Sequence, residues 1–205
     1  MPAINMPTTP GFRNSRFGLE TNTQRFESPL TKAVQRVKLA GDRWILTGEL
    51  PPMKRDKAAL WQAFFLNLEG GSNTFNAYDP DAIYPRGAAQ TMPGTPLVKG
   101  AGQTGSSLLV DGCPAGVTGW LLPGDYFSVN GELKMVTGQV NTNGSGEATI
   151  AFKPRLRNAP PDNAALTLIR PTCEMVLVDD QQAIWECNER GVYMPKSFAA
   201  VEVFS

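Results

Sequence analysis

Short runs in which apolar and polar residues alternate fill most of this 205-residue chain, a pattern typical of strands with one buried face. Two runs, roughly 32–39 and 43–50, meet at Ala40-Gly41-Asp42 and predict a pair of strands. Further runs between residues 106 and 169 are separated by turn signals at the spacing of a small sandwich or barrel. The pattern therefore indicates a mainly β fold. The strands predicted in this later stretch are 106–110, 125–129, 132–137, 147–152 and 165–169.

One segment, "RDKAALWQAFFLNLEGG", has the periodicity of a helix instead. Leu60, Phe64 and Leu68 recur every four residues and form an apolar stripe that aromatic neighbours widen. Asp56 is a plausible N-cap, and the Gly-Gly pair that follows the stripe is a C-terminal stop. The sequence predicts a single helix over about 56–68 that packs into the core.

A tight turn organises the middle of the chain. In "GDYFSVNGELKMV", Asn130-Gly131 separates two short runs, and this pair favours a two-residue hairpin because both turn positions need positive φ. A stretch rich in Gly and Pro, 80–105, precedes these strands, and Pro171 follows them. These boundaries predict a small inserted β domain, barrel-like or sandwich-like, over about 96–171.

The flanking segments, 30–95 and 172–205, are then predicted to form one main β domain that is split in sequence. After Pro171 the stretches "EMVLVDD", "IWECN" and "KSFAAVEVFS" predict three more strands. The last is largely apolar on both faces, which is typical of a strand covered on both sides. One of the two covers could be a neighbouring subunit.

Residues 1–29 predict an extended N-terminal arm. Three early prolines oppose both helix and ladder pairing, and the apolar residues Phe12, Phe17 and Phe26 stand alone. Such a segment cannot bury enough surface to make its own core. We expect it to be disordered in an isolated monomer and to become ordered on a neighbouring subunit.

The amino-acid composition limits which binding partners and catalytic or metal sites the chain can have. Lys plus Arg and Asp plus Glu both total 19, so no net charge attracts the chain to nucleic acid or to an anionic membrane. The chain has no His, the commonest general base, and Cys113, Cys173 and Cys187 are too widely spaced to predict a disulfide framework or a zinc site. No apolar run is long enough to span a bilayer, and no signal-peptide pattern is present. We therefore expect a protein that is made in a cytoplasm. No cofactor or metal is predicted.

Carboxylates are the remaining candidates for catalysis. Asp79 and Asp81 in "YDPDA" and the Asp179-Asp180 pair read as turn formers, the second as a hairpin turn, because acidic side chains readily bond nearby backbone. The alternatives are a calcium site or a glycosidase pair drawn from these acids, Asp125 and Glu132, but no further alternating acids follow "DPD" and the calcium-loop pattern is missing. We therefore predict no catalytic residue.

Two surface features remain open to interpretation. Arg155 and Arg157 form a basic cluster with Lys153, which fits either a solvated strand edge guarded by charge or a site for an acidic partner. Trp120 lies in the Gly-rich segment "AGVTGWLLPGD", a context in which an aromatic ring can stack on a sugar.

The order of the segments resembles tail proteins of long-tailed bacteriophages, in particular distal-tail or baseplate-hub-type components. The features that carry this resemblance are the helix ending in "LNLEGGSNTF", the "GDYFSVNGELKMV" hairpin and the F-x-P-x-L-R pattern at 152–157. Together they span residues 44–178, and their order carries the resemblance because none is a signature alone. The arm and the last thirty residues match less distinctly.

The resemblance implies a hexameric ring at the distal end of the tail tube, between tube subunits and the hub or fibres. It implies a structural protein of the virion tail, made in the bacterial host cytoplasm, that is not an enzyme and binds other tail proteins. We expect the subunit interface to include Phe12, Phe17, Phe26, Arg155, Arg157 and Phe204.

Two other functions fit the sequence less closely. A carbohydrate-binding module for host-surface glycans would use Trp120, Tyr126 or Trp185 as its platform. A glycoside hydrolase would need two acids about 5–10 Å apart in a cleft, which Asp79, Asp125 or Asp179 would have to provide.

Overall fold

A computed structural model describes residues 4–204, and it is mainly β with one α-helix, as the sequence predicted. The strands of this range fall into two six-stranded sheets and two short two-stranded sheets. In chain order the elements are β1 Ile4–Asn5, β2 Asn14–Glu20, β3 Thr23–Glu27, β4 Val34–Lys38, β5 Arg43–Leu50, β6 Met53–Lys54, α1 Arg55–Leu68, β7 Phe75–Ala77, β8 Leu97–Val98, β9 Ser107–Asp111, β10 Tyr126–Val129, β11 Glu132–Val136, β12 Ala148–Lys153, β13 Leu166–Thr167, β14 Cys173–Leu177, β15 Val192–Tyr193 and β16 Lys196–Glu202.

The first sheet has the strand order β1-β7-β14-β16-β5-β2, so it joins strands from both ends of the chain. Strand β5 is central to its packing because Trp44, Leu46 and Leu50 point to one face and are buried, while the alternate residues face outward. Helix α1 packs its aromatic residues into the same core. This sheet and the helix form the first hydrophobic core.

Part of the N-terminal segment belongs to this sheet, which corrects the expectation of an arm that does not pack within its own chain; its disorder in an isolated monomer stays a prediction. Strand β2 pairs with β5 over its whole length, from Asn14–Glu49 to Glu20–Arg43. Phe12 and Phe17 are half-buried and pack against the chain's own core. The prediction from the sequence failed because the three early prolines all precede β2 and therefore do not interrupt its ladder, which satisfies the backbone. Residues 1–3 and 205 lie outside the described residues.

The sequence predicted that β4 pairs with β5, and this prediction is wrong. Strand β4 forms a hairpin with β3, from Thr23–Lys38 to Glu27–Val34, closed by a turn in which the Ser28 amide donates to the Ala33 carbonyl (2.9 Å). Residues 40–42 are the link back into the sheet rather than a hairpin turn. The side chain of Asn22 holds this link by donating to the Ala40 carbonyl (3.1 Å).

Helix α1 confirms the predicted position but not the predicted cap. It begins at Arg55, and neither Asp56 nor the preceding Lys54 provides a side-chain cap. Leu60 lies outside the buried stripe and is 52 % exposed, because Trp61 and Phe65 occupy the core side instead. The helix ends where Glu69 and the glycine after it adopt the left-handed conformation. The buried residues of the helix are Ala58, Trp61, Phe64, Phe65 and Leu68.

The second sheet has the order β13-β10-β11-β12-β9-β8 and curls into a nearly closed barrel. A bridge between Leu97 and Ala165 brings its two edges together. The Asn130-Gly131 hairpin is confirmed, since both residues have positive φ (50° and 77°) and join β10 to β11. A second core fills the barrel. Whether 96–171 is a domain with those boundaries stays a prediction.

The segment between β14 and β16 differs from the sequence expectation. "IWECN" is not a strand of a sheet, and its only ladder contact within the described residues is a bridge from Cys187 to Tyr193. Asp179 and Asp180 do not form a hairpin turn, because Asp179 caps a short 3-10 helix, Asp180–Ala183. Strand β15 instead pairs with β6, just before α1. The segment thus wraps the side of the helix.

Candidate interaction surface

The β3–β4 hairpin, residues 23–38, stands apart from both cores. Every side chain of its two strands is exposed, and neither core includes a hairpin residue. It nevertheless carries large apolar side chains, since Phe26 is 64 % and Leu30 93 % exposed. A two-stranded hairpin without further packing is only marginally stable in water. The hairpin is therefore the strongest candidate for a surface that another molecule covers.

The strand register gives the hairpin two different faces. Phe26 pairs with Gln35, and Val37, 57 % exposed, lies diagonally from Phe26 on the same face. The other face is charged and places Arg25 directly opposite Arg36. Like charges in directly opposite positions destabilise a strand pair. An acidic partner would relieve this repulsion.

The hairpin is also strongly basic although the chain has no net charge. Residues 23–38 contain four basic side chains and one acidic one, Glu27. Glu27 accepts from Arg25 at 3.2 Å and lies 3.9 Å from Lys32, while Lys38 pairs with Asp42 at the hairpin base. Among residues 4–204, Arg36 takes part in none of the ion pairs.

The base of the hairpin is fixed by Arg157, which corrects its interpretation as part of a solvated strand edge. Its guanidinium binds both carboxylate oxygens of Glu202 at 2.8 and 2.7 Å and donates to the Asp42 carbonyl at 2.8 Å. The ring of Phe204 lies 3.8 Å from the guanidinium carbon. Such bidentate pairs are among the stronger hydrogen bonds in proteins. Arg157 therefore joins the barrel segment to the first sheet.

A buried ion pair lies beside this junction. The Lys134 ammonium is fully buried and bonds Glu132 at 2.6 Å and the Arg155 carbonyl at 3.1 Å. Burial lowers the pKa of Lys134, although the pair with Glu132 opposes the shift. Burial alone would raise the pKa of Glu132, but Lys134 and the amides of Arg157 and Asn158 outweigh it and lower that pKa.

Trp44 completes the connection between the two sheets. Its backbone amide donates to Glu202 at 2.9 Å, and its indole nitrogen donates to the Leu133 carbonyl in the barrel at 2.9 Å. Its ring stacks on Phe17 and meets Tyr126 of the barrel edge-on, with centroids 5.4 and 5.5 Å apart. Tyr126 and Leu133 consequently belong to the first core. The barrel is attached to the sheet that carries the hairpin.

A groove of about 710 Å³ opens at this junction. One wall is the link 38–42 at the hairpin base, and the other is the segment 154–157 after β12. Phe204, 49 % exposed, lines one side, and the exposed Arg155 lines another. Of the six residues predicted at an interface, only these two lie together in the groove without a core or ion-pair role.

The predicted interface residues are thus spread over three places. Phe12 and Phe17 contribute to the first core, Arg157 forms the junction, and Phe26 lies on the hairpin. A subunit contact at any of the six stays a prediction. Sequence reasoning missed Leu30 and Val37, although isolated apolar residues among charges in 23–38 were a visible signal.

The acidic side chains named as catalytic candidates bind backbone amides. Asp125 is buried and accepts from the amides of Arg86 (2.9 Å) and Leu122 (2.8 Å). Asp79 accepts from the Asp81 amide at 3.1 Å, as expected for a turn former. Burial raises the pKa of Asp79, against the hydrogen bonds from Asp81 and Tyr126.

Asp179 and Asp180 have similar local roles. Asp179 accepts from the Gln181 amide at 2.9 Å, and Asp180 accepts from the Gly71 amide at 3.0 Å, which connects the segment to the end of α1. Within residues 4–204, no group of three or more His, Cys, Asp or Glu side chains could hold a metal ion.

The tryptophan proposed as a sugar platform is not available on the surface. Trp120 is fully buried in the barrel core, and its indole nitrogen donates to the Met92 carbonyl at 3.3 Å. Tyr126 is buried between the two sheets, and Trp185 is half-buried between Phe65 and Tyr193. Burial therefore removes Trp120 and Tyr126 as open ring faces of the kind that sugar stacking needs.

Comparison with known proteins adds no assignment, since no family model and no curated protein matches this chain. Among the described residues, no helix combines the length and the apolar character that a bilayer-crossing helix requires.

Proposed function

We propose that this chain is a structural protein of a bacteriophage tail. In this proposal it forms a ring at the distal end of the tail and connects the tail tube to the baseplate hub or fibres. The protein is made in the cytoplasm of the bacterial host and functions in the virion, where copies of the same chain and other tail proteins are its partners. It is not an enzyme and uses no cofactor.

The observation that carries this proposal is the detached β3–β4 hairpin. Its strands expose both faces, it holds Phe26 and Leu30 away from both cores, and it combines apolar side chains with basic charge. Elements that extend from a compact body and cannot bury their own apolar surface are typical of assembly proteins. The attachment at Arg157 and Trp44 supports the same role, because it holds the hairpin base in place.

The segment order supports the specific class. The helix, the Asn130-Gly131 hairpin and the pattern at 152–157 carried the resemblance to distal-tail components, and the first two occur as folded elements. The third contains Arg157, whose junction role explains why a basic residue stands there. Neither alternative function gains support, since the proposed sugar platform is buried and the candidate acids bind backbone amides.

A mass measurement in solution tests the proposal. We expect the purified 22.2 kDa chain to form a closed ring of six copies in native mass spectrometry, and negative-stain electron microscopy should show rings of one diameter. Antibody labelling of virions that contain the chain should mark the distal end of the tail. A chain that is monomeric and absent from purified virions would contradict the proposal.

A further inference from the structure

A second surface of this chain matches the hairpin in chemistry but with the opposite charge. It lies where the end of α1 meets the segment after β14, and we call it the acidic patch. It combines exposed apolar side chains with carboxylates, as the hairpin combines them with basic groups. The residues of the acidic patch are Leu66, Glu69, Val178, Asp179, Asp180 and Ile184.

Two contacts hold the two segments of the acidic patch next to each other. The Gly71 amide donates to Asp180 at 3.0 Å, which holds the short 3-10 helix against the end of α1. The rings of Phe65 and Trp185 lie 6.1 Å apart, and these residues are the chain neighbours of Leu66 and Ile184. The apolar members of the acidic patch are strongly exposed, at 71 % for Leu66, 66 % for Ile184 and 60 % for Val178.

The carboxylates of the acidic patch form no close ion pair among residues 4–204. Glu69, Asp179 and Asp180 take part in none of the ion pairs found among residues 4–204. Lys196 is a cation of this region whose charge interacts with that of Asp179, but its ammonium donates to the Ile184 carbonyl at 2.8 Å rather than to a carboxylate. Three carboxylates with exposed apolar neighbours are suited to a basic, partly apolar partner.

The hairpin and the acidic patch lie at different ends of the first sheet. The hairpin follows β2 at Glu20 and returns at Arg43, beside the end of β16, since the Trp44 amide binds Glu202. Strand β14 starts near that end and runs away from it, because Met175 pairs with Glu202 and Leu177 with Ala200. The acidic patch follows β14, and two strands separate β14 from the edge strand β2.

No hydrogen bond among residues 4–204 connects the hairpin to the acidic patch of the same chain. Each copy of the chain thus presents a basic element in one direction and a matching acidic surface in another. A contact between different surfaces of identical subunits repeats head to tail and closes into a ring when the rotation permits.

We propose that the β3–β4 hairpin of one copy docks on the acidic patch of the next copy. The proposal rests on the proposed ring-forming function and names the two surfaces that make the ring. Leu30 at the hairpin tip and Val34, which is 41 % exposed and lies on the same face as Arg36, cover the apolar side chains of the acidic patch. Arg36, which has an arginine opposite and takes part in no ion pair among residues 4–204, faces the carboxylates.

A charge swap tests the contact with two variants that favour local folding. Arg36→Glu replaces the repulsion by Arg25 with attraction across the hairpin. Glu69→Lys places a cation at the C-terminus of α1, where the helix dipole favours it. Each single variant should weaken self-association at least about tenfold because it puts like charges into contact. The double variant should recover most of the loss.

Lys57→Glu is the matched control. It reverses one charge in the first turn of α1, where an acid is favoured, about 18 Å along the helix from Glu69. Self-association of this control should equal that of the wild type in sedimentation velocity or native mass spectrometry. A double variant that associates no better than the weaker single variant would overturn the docking proposal.

Disulfide trapping tests the same contact directly. In a Cys187→Ser background, which removes the one exposed native thiol among the three cysteines, Leu30→Cys and Leu66→Cys are purified separately and then mixed. Covalent dimers should form in the mixture but not in either variant alone, because the contact joins two different surfaces. Dimers from Leu30→Cys alone in equal yield would mean a hairpin-to-hairpin contact and would overturn the proposal.

These tests separate the two proposals. If the wild type forms rings and neither Arg36→Glu nor Glu69→Lys changes their stability, the docking surfaces are overturned but the ring-forming tail function stands. A wild-type chain that stays monomeric at tens of micromolar would overturn the docking proposal, and labelling of virions would then decide the tail function independently.

Discussion

Lys134 is the most deeply buried charged side chain of the described residues, and Glu132 lies next to it on the same face of β11. Removing one partner of a buried ion pair leaves the other charge unpaired and costs about 3–5 kcal/mol. We therefore expect Lys134→Met and Glu132→Gln each to lower the free energy of unfolding by about that amount. Urea titrations followed by circular dichroism would measure it.

The double variant distinguishes pairing from packing. Because Lys134→Met/Glu132→Gln leaves no unpaired charge, its loss should be clearly smaller than the sum of the single losses. Glutamine at position 132 can still accept from one of the two amides, of Arg157 and Asn158, that bond different oxygens of Glu132. If the losses simply add, the two side chains stabilise the protein independently and the ion pair has no special role.

Asp79 predicts a pH dependence of stability. Its pKa is raised above 3.8, first by burial, so its ionised form is less favourable in the folded chain than in the unfolded chain. A group of this kind has no effect on stability below its unfolded pKa and lowers stability as the pH rises through its folded pKa. Asp79→Asn should therefore gain stability over the wild type as the pH rises from 3 to 7.

The measurement for Asp79 is the difference in urea midpoint between variant and wild type along this pH range. Asparagine keeps an oxygen that can accept from the Asp81 amide, so the turn is preserved. A difference that stays constant with pH would show that the carboxyl of Asp79 does not titrate against folding.

At the scale of elements, we expect changes in the hairpin and in β2 to affect the free energy of unfolding to different extents. Replacing residues 24–37 with a short Gly-containing turn should change the free energy of unfolding by less than about 1 kcal/mol, because the hairpin packs on neither core. Phe17→Ala in β2 should cost about 2 kcal/mol, because it removes the stacking on Trp44. Thermal and urea unfolding of both variants would compare them.

The positions of most elements followed from the sequence, and the misses have physical causes. Strand β5 and the β10–β11 hairpin were predictable because a buried face imposes alternation and Asn-Gly imposes a turn. The pairing of β4 was not, because an exposed strand has no buried face that selects its partner. The helix cap was predicted wrongly because an acidic residue near a helix terminus need not bond the backbone there.

The functional residues were harder to predict than the fold. Arg157 looked like one member of a basic cluster, since its partners Glu202 and the Asp42 carbonyl lie 45 and 115 residues away. The buried pair of Glu132 and Lys134 had a local signal, two opposite charges two residues apart in a strand. Sequence spacing alone does not show whether such a pair faces the protein core or the solvent.

At the scale of the whole molecule, the junction predicts that the two cores unfold together. Trp44 and Arg157 connect the first sheet to the barrel, and Tyr126 and Leu133 of the barrel strands belong to the first core. Separate domains joined by such buried contacts lose them when either one opens. We expect one cooperative transition for the entire chain, although the barrel has a core of its own.

Two native cysteines can report on this coupling, because Cys113 is buried in the barrel core and Cys173 in the first core. Burial raises the pKa of both thiols, that of Cys113 to about 12, so neither should react while its core is closed. In a Cys187→Ser background, pulse labelling across a urea series should expose both cysteines at the same midpoint. Peptide mass spectrometry would assign each label to its cysteine.

The junction variant Arg157→Met/Glu202→Gln should separate the two midpoints. It removes the bidentate ion pair between barrel and sheet without leaving a buried charge, and glutamine can still accept from the Trp44 amide. We expect one core to open at lower urea than the other, because fewer contacts now link them. Two cysteines that already react at different midpoints in the wild type would mean that the cores are independent and that Arg157 does not couple them.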